Sequence, residues 1–523
     1  MNNQLVENAV RAGQDETAPS RAVIVCGSGH EAEFWRGRLG SPEDDGAQGP
    51  TLVVERGRKG NFLGCLDAYA RGVLGVGARE GTRPPIDQMI MLFGSGTRLS
   101  PFTQALANIK SAFPLPRPDR PAGRYTMGEA AMRSNAPIVD ALHGGGLDGL
   151  VIRWGDELYV PSGNLESGPG RYADFDVIRF GWRTDPTDAL AGQKEWLITD
   201  GSGAVVRDIP RQPLASLRRE IEGTDVVDPG VFVNLGNFAA SHWFLETLAD
   251  VFADELESGT EPVNWDPSFW VAVQCDDEDA WTRLCRTEAD AGRPGLLAVA
   301  EAVPTFYERV RAVRERVRAQ HGRDVRVGVL DFGEPYWLDA GSHTRLAEAM
   351  TALFSPELEG EALRALLDLP DSLASGGSVV KDSSVVAPAR VTNSVVLGAR
   401  IDDASSSLER AVVLGGRYGR LVVTPGGVVI SSVADDLTVE GPHGVAFRLR
   451  GDASVRDGEA ASTVVAEGRE VRLTYAAELG VIDDETFSQP VLDNEISYAD
   501  ASRMVRSVHP LELDATWTGW ERG

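Results

Sequence analysis

The sequence predicts an α/β protein in which a mainly parallel sheet is followed by a parallel β-helix and a small β-rich C-terminal region. Two textures carry this prediction. Over 21–355, short β-branched runs alternate with longer amphipathic ones, the pattern of a parallel sheet covered by helices on both faces. After a linker at 356–377, rich in Ser and Gly towards its end, the segment 378–437 turns repetitive (SVVKDSSVVAPARVTNSVVLGARIDDASSSLERAVVLGG and onward).

Strands are expected at 22–26, 51–54, 88–93, 150–154, 177–181, 195–199, 231–234 and 325–330. Helices are expected at 62–73, 239–256 and 305–321, the last with Phe306, Val310, Val313 and Val317 at helical spacing. Stretches 41–50 and 117–124, with Gly, Pro and acidic or repeated prolines, read as surface loops. In the repeat, Val379, Val385 and Val391 fall six apart, and Val395 and Ile401 continue in a second phase that returns at Val413. One inward aliphatic per six-residue side is what a prism-shaped parallel coil buries. A plain β-sandwich with Ser/Gly turns is the competing reading. Over 438–523 the repeat decays into irregular strands and a helix near 498–505. Residues 1–20 are polar and acidic, with neither a basic n-region nor an apolar h-region, and are expected to form a disordered leader.

A length of 523 residues exceeds what one hydrophobic core serves, so two or three domains are expected. The formal charge of −27 opposes a nucleic-acid partner and an anionic membrane surface, both of which demand a basic field. No apolar run approaches the roughly 20 residues that span a bilayer. Cys26, Cys65, Cys275 and Cys285 have no CxxC spacing and sit mostly in apolar runs, as reduced cysteines of a cytoplasmic protein do.

The segment with the most chemistry is 89–116, MIMLFGSGTRLSPFTQALANIKSAFPLP. A strand ends near Phe93, and Gly94-Ser95-Gly96-Thr97-Arg98 forms a loop whose glycines let backbone N–H groups crowd against phosphate oxygens. Arg98 and Lys110 supply cations to the same anion. This string resembles the signature loop of the sugar-1-phosphate nucleotidyltransferases, roughly GGxGTRLxPLT followed by K-P, with Phe93 standing where the family has its first glycine. Two further strings are similar to that family. LVIRWGDELYV delivers Asp156 at a strand end, like the family's magnesium-binding aspartate. DFGEPYWLDAGSHTRLAEAM resembles the W-x-D-x-G-T element and makes Asp339 the second metal carboxylate.

The resemblance implies a Rossmann-like nucleotidyltransferase domain, a left-handed parallel β-helix, Mg²⁺ as cofactor, and a nucleoside triphosphate and a sugar-1-phosphate or cyclitol phosphate as substrates. Arg98 and Lys110 take the catalytic roles, while Phe93, Gly94, Ser95, Gly96 and Thr97 line the triphosphate. In GVFVNLGNFAAS, Asn234 and Gly236 match the family's sugar-lining segment. The family's E-K-P is Arg211-Gln212-Pro213 here, so Arg211 stands as the candidate in place of the lysine. No histidine is required, and His343 is the one of the seven closest to a motif. The repeat region is expected to mediate homo-oligomer assembly; as an acyltransferase it would want a histidine, and 378–433 has none.

The order of elements departs from the family. Too few residues separate Lys110 from Asp156 to hold the usual second βα unit and base-reading loop. Upstream, AVIVCGSGHEAEFWRGRL and TLVVERGRKGNFLGCLDAYARGV supply both, which implies a rearranged order in which Gly60, Asn61 and Gly64 approach the base. Gly128-Glu129-Ala130 compete for that role. Two other functional classes stay open: a non-catalytic scaffold of the same fold, and a dinucleotide-binding oxidoreductase using Gly27-Ser28-Gly29 with Glu55 on a ribose.

Overall fold

The computed structural model describes residues 4–40, 49–57, 59–75, 86–94, 96–165, 168–259, 263, 265–339 and 341–522, apart from the side chains of 258, 267 and 339. Among the described residues, eleven strands precede the repeat. These are β1 (Ala22–Cys26), β2 (Thr51–Val54), β3 (Gln88–Met91), β4 (Gly149–Trp154), β5 (Glu157–Val160), β6 (Val177–Arg183), β7 (Trp196–Thr199), β8 (Val205–Ile209), β9 (Gly230–Ser241), β10 (Val327–Asp331) and β11 (Tyr336–Asp339). Nine of them form one sheet in the order β10-β6-β9-β4-β3-β1-β2, with β7 beside β9 and β8 beside β7, while β5 and β11 pair apart from it. Strands β2, β1, β3 and β4 are parallel, so their C-terminal ends share one edge. β9 runs antiparallel to β4 and β6.

Both faces are covered, as the β-branched runs predict. In β1, Ala22, Ile24 and Cys26 enter one core cluster, with Trp35 and Met127. Val23 and Val25 enter the other, with Phe62, Phe244 and the Val310–Val313–Val317 stripe. The helix expected at 239–256 starts later, at His242: Ala239–Ser241 finish β9, and the Ser241 hydroxyl caps the helix by accepting the Phe244 N–H at 3.2 Å.

Three boundaries differ from expectation. The leader is not disordered: Gln4–Gln14 is a helix that buries Leu5, Ala9 and Ala12 against the helix Leu358–Leu366. A Cβ at Gly13 would stand 2.9 Å from the Leu366 carbonyl, so a glycine sets that approach. The segment 356–377 is accordingly a packed helix and a 3₁₀ turn (Asp371–Ser375) rather than a linker. A second late helix, Pro510–Arg522, follows Tyr498–Met504.

The repeat folds into coils joined by parallel ladders, with Val379, Val385 and Val391 on three successive short strands. Register partners Val379↔Val395, Val395↔Val412, Val412↔Val428 and Val428↔Val445 set a coil of 16 or 17 residues. The parallel pairing continues to Val445↔Ala460, beyond the expected end at 437, and an antiparallel strand Arg469–Ala476 closes the stack. The inward residues on the first side are Val396, Val413, Val429 and Ala446. Val395, Leu397, Val412 and Leu414 point the other way and pack on the α/β domain. There Phe447 stacks on Phe113 with centroids 5.2 Å apart and lies 5.2 Å from Phe102, so the coil stack underpins the segment behind the Gly-rich loop. One flat side of the repeat, expected to serve assembly, is therefore covered by its own chain. No described helix is long and apolar enough to cross a membrane.

Candidate active site

The parallel edge gathers the sequence-predicted residues. β3 runs on into Phe93 and Gly94, β4 into Gly155 and Asp156, β1 into Gly27 and β2 into Glu55, which places four loops where open α/β sheets hold their ligands. Gly94 and Gly96 have φ of +128° and +57°, and a Cβ at Gly96 would stand 2.9 Å from Thr103 and 3.0 Å from Lys110 Cβ. Thr103 donates to the Gly96 carbonyl at 2.8 Å and fixes the turn. Thr97 and Arg98 begin a 3₁₀ turn, with Arg98 exposed. Ser95 lies outside the described residues.

Two residues taken from separate strings of the sequence meet here. Lys110 Nζ donates to Asp156 Oδ2 at 2.7 Å, across 46 positions of sequence. The turn that presents Asp156 needs Gly155, because a Cβ there would fall 1.8 Å from Leu92 Cδ2. β11 pairs with β5 so that Asp339 stands opposite Glu157, bringing the second expected carboxylate position next to Asp156 along the backbone; its side chain is not described. A hard divalent cation suits this donor set. Mg²⁺ takes one or two protein carboxylates and fills its shell with water and phosphate oxygens, and Asp156 keeps its carboxylate mostly buried on Lys110, whose Nζ would stand 3.4 Å from a Cβ at Gly94.

The N-terminal elements reach the same edge. A Cβ on Gly64 would stand 3.5 Å from Phe93 Cζ and 3.6 Å from Glu55 Oε1, so the helix Gly60–Tyr69 starts against the Gly-rich loop. Asn61 lines a small cavity with Trp154 and Gly236, and Phe93 meets Trp154 edge-on at 6.4 Å. The competing residues sit elsewhere: Gly128 and Ala130 are buried in the opposite core, where a Gly128 Cβ would stand 2.8 Å from Trp35. The sheet order β4-β3-β1-β2 places the N-terminal strands beside the strand of the Gly-rich loop.

Two carboxylates occupy helix starts at this edge. Glu55 accepts the Lys59 N–H at 3.0 Å. Glu31 accepts the Gly27 N–H at 2.7 Å, while Ser28 accepts the Glu31 N–H at 3.1 Å. A dinucleotide pyrophosphate would need the Gly27 position that the Glu31 carboxylate already fills. Burial pushes Glu31 up to about 7, against the pull of the Gly27 N–H and the Lys110 charge. Since the folded value is raised, the folded state binds the extra proton between about 4.5 and 7, and stability falls as pH rises through that window. Glu31→Gln, which keeps the acceptor without the charge, is expected to raise stability at pH 8 by up to roughly 3 kcal/mol and to match the parent at pH 4.5. Denaturant melts at the two pH values check this; equal gains at both would refute it.

Beyond Gly236 the edge opens into a cleft of about 750 Å³ between β6, β8 and the helix Asp266–Ala272. Asn234 donates to Glu195 at 3.2 Å and accepts the Gly236 N–H at 3.0 Å, and Gly236 (φ +81°) lines the cleft. Arg211 has an exposed side chain and does not line the cleft; Gln212 is buried on Glu220 at 3.0 Å, and Val206, Arg207, Asp208 and Pro210 are what this segment gives the cleft. Sequence reasoning missed Arg179, Glu195, Asp208, Asp266 and Trp270. The signal available was an arginine inside the apolar strand VIRFGWR, where a charge needs a reason. His343 is no site residue: it is buried, stacked on Tyr475 at 4.0 Å and edge-on to Phe102 at 4.9 Å, and burial pushes its pKa down to about 3.

Comparison with protein-family models finds no match to this chain, and comparison with curated proteins finds none either.

Proposed function

We propose that the chain is a magnesium-dependent nucleotidyltransferase that joins a nucleoside triphosphate to a sugar-1-phosphate or cyclitol phosphate and releases pyrophosphate. The observation that carries this reading is the 2.7 Å contact of Lys110 with Asp156 under the Gly-rich loop. The edge β4-β3-β1-β2 is read as its Rossmann-like nucleotide-binding half, with rearranged chain order, and the coil stack as a left-handed parallel β-helix.

A phosphate oxygen of the acceptor attacks the α-phosphorus in line; the new P–O bond forms as the bond to the β-phosphate oxygen breaks and pyrophosphate leaves. In this reading Arg98, Lys110 and loop N–H groups would stabilise charge growing on the leaving pyrophosphate. Asp156 and the Asp339 position would hold Mg²⁺, which when bound screens the repulsion between the two phosphates. A phosphate dianion is already a nucleophile, so no general base is needed. Gly60, Asn61 and Gly64 are assigned to the base side, and Asn234 and Gly236 to the acceptor side.

A scaffold reading draws on Phe93, whose ring fills space that the resembling loop leaves to glycine. The deciding experiment measures pyrophosphate release with Mg²⁺ from each common nucleoside triphosphate against a panel of sugar and cyclitol phosphates. Release that requires one pair, and is lost in Asp156→Ala and Arg98→Ala, is expected. Silence together with absent nucleotide binding would leave the scaffold.

A further inference from the structure

Arg153 is a cation inside the apolar strand β4, three residues before Asp156, and it is 1% exposed. Burial pulls its pKa down to about 10, against the pull of Tyr159 and Glu157, so the guanidinium stays charged at neutral pH. A charge buried this deeply needs a reason in what it holds. In the phosphoryl transfer itself it has none, because it cannot reach a substrate.

Its nitrogens span from a helix end to the turn that presents Asp156. Nη1 donates to Ser134 Oγ at 3.0 Å and to Asn135 Oδ1, at the C-terminal end of the helix Met127–Ser134. Asn135 is held in its turn by donating to Gln88 at 2.7 Å. Nη2 donates to the main-chain carbonyl of Glu157 at 3.1 Å. Asp156 therefore lies inside a loop that Arg153 closes onto its own chain.

That closure is needed because no ladder supplies it. Among the described residues β5 pairs with β11 and stays apart from the nine-stranded sheet, so β4 and β5 part after the turn. Side chains brace the turn instead. Asn237, also 1% exposed, accepts the Trp154 N–H at 3.1 Å and donates to Glu157 Oε2 at 3.2 Å. The Arg153 guanidinium lies 4.8 Å from the Tyr159 ring centroid, and Tyr159 stacks on Trp337 at 5.2 Å, two residues before Asp339. One stack thus links the Asp156 turn to the strand of the second carboxylate position.

Resting on the transferase reading for the metal, we propose that Arg153 and Asn237 are positioning residues that fix the turn 154–157, and through it aim the Asp156 carboxylate at a divalent cation. Groups that orient a metal ligand govern metal affinity without touching the metal.

The test is calorimetric binding of each common nucleoside triphosphate to the full chain, with Mg²⁺ and with chelator. Mg²⁺ is expected to tighten binding to the parent, and Arg153→Met to lose roughly 10- to 100-fold of that tightening, with the metal-free affinity unchanged. Arg153→Lys, which keeps a donor for the Glu157 carbonyl, is expected to restore part of it. Asn237→Asp keeps the side-chain shape and the acceptor for Trp154 but turns a second acceptor towards Glu157. It is expected to show the same selective loss, and it carries the test if Arg153→Met melts early. Tightening undiminished in the folded variants, an equal loss with and without Mg²⁺, or a parent that binds nucleotide alike in both conditions or not at all overturns the proposal. A selective loss of the Mg²⁺ effect in a chain whose parent releases no pyrophosphate keeps the positioning role and overturns the transferase reading instead.

Discussion

Asp156→Asn is expected to lower kcat for pyrophosphate release roughly 10³-fold while leaving the chain folded. The substitution keeps shape and one carbonyl oxygen but removes the anionic charge that Lys110 meets at 2.7 Å and that a divalent cation would use. Both side chains are mostly buried, at 17% and 12% exposure, so leaving Lys110 without its partner also costs some stability, and a denaturant melt of the variant separates that loss from the loss of turnover. Lys110→Met is expected to cost a comparable factor by removing a cation from the leaving pyrophosphate. The double variant should lose far less than the product of the two, because the side chains work as a unit. Steady-state kinetics on the three variants, with Mg²⁺ varied, makes the comparison. The assignment sinks if Asp156→Asn turns over within a few-fold of the parent.

How much of this was legible in the sequence follows from the range over which each signal acts. The strands of the parallel edge could be read because both their faces are buried, which leaves unbroken apolar runs such as AVIVC. The Lys110–Asp156 pair was legible only as two separate strings; their contact depends on β3 lying beside β4, a property of sheet order. The same double burial misled the reading of the repeat. VVL at 395–397 is buried on both sides, so its periodicity cannot tell Val396, which faces the coil interior, from Val395, which faces the α/β domain. The N-terminal helix hid because its buried stripe is Leu5, Ala9 and Ala12, two of them alanines, in a segment whose overall character is polar. Arg179 was passed over because an isolated charge in a strand gains meaning only from the unfilled space beside it.

Asp514→Ala is expected to destabilise the chain by roughly 3–5 kcal/mol, the cost of leaving buried guanidinium groups without their counter-charge. Asp514 sits on the C-terminal helix Pro510–Arg522, which packs so closely on Gly29–Leu39 that a Cβ at Gly37 would stand 2.8 Å from Leu511. Its Oδ2 accepts from Arg38 at 2.6 Å and its Oδ1 from Arg448, whose other nitrogen donates to the Ala105 carbonyl at 2.9 Å. One carboxylate thus joins the first βα unit, the coil stack and the segment behind the Gly-rich loop. Exposures of 7% for Arg38, 16% for Asp514 and 9% for Arg448 leave little room for solvent screening. Burial alone would raise Asp514, but Arg448 and Arg38 outweigh it and hold the carboxyl below its usual range. With a lowered folded value, this stabilisation is complete above the unfolded aspartate pKa of about 4 and is lost as pH falls through the folded one. The gap between parent and variant in denaturant midpoint should therefore be constant from pH 6 to 8 and close in acid. Removing both flanking charges as well, as Arg38→Met with Asp514→Leu and Arg448→Met, should recover much of the loss, since apolar replacement of a whole buried ion cluster costs little. A variant Asp514→Ala that melts with the parent would show that solvent or neighbouring carbonyls already neutralise the two arginines.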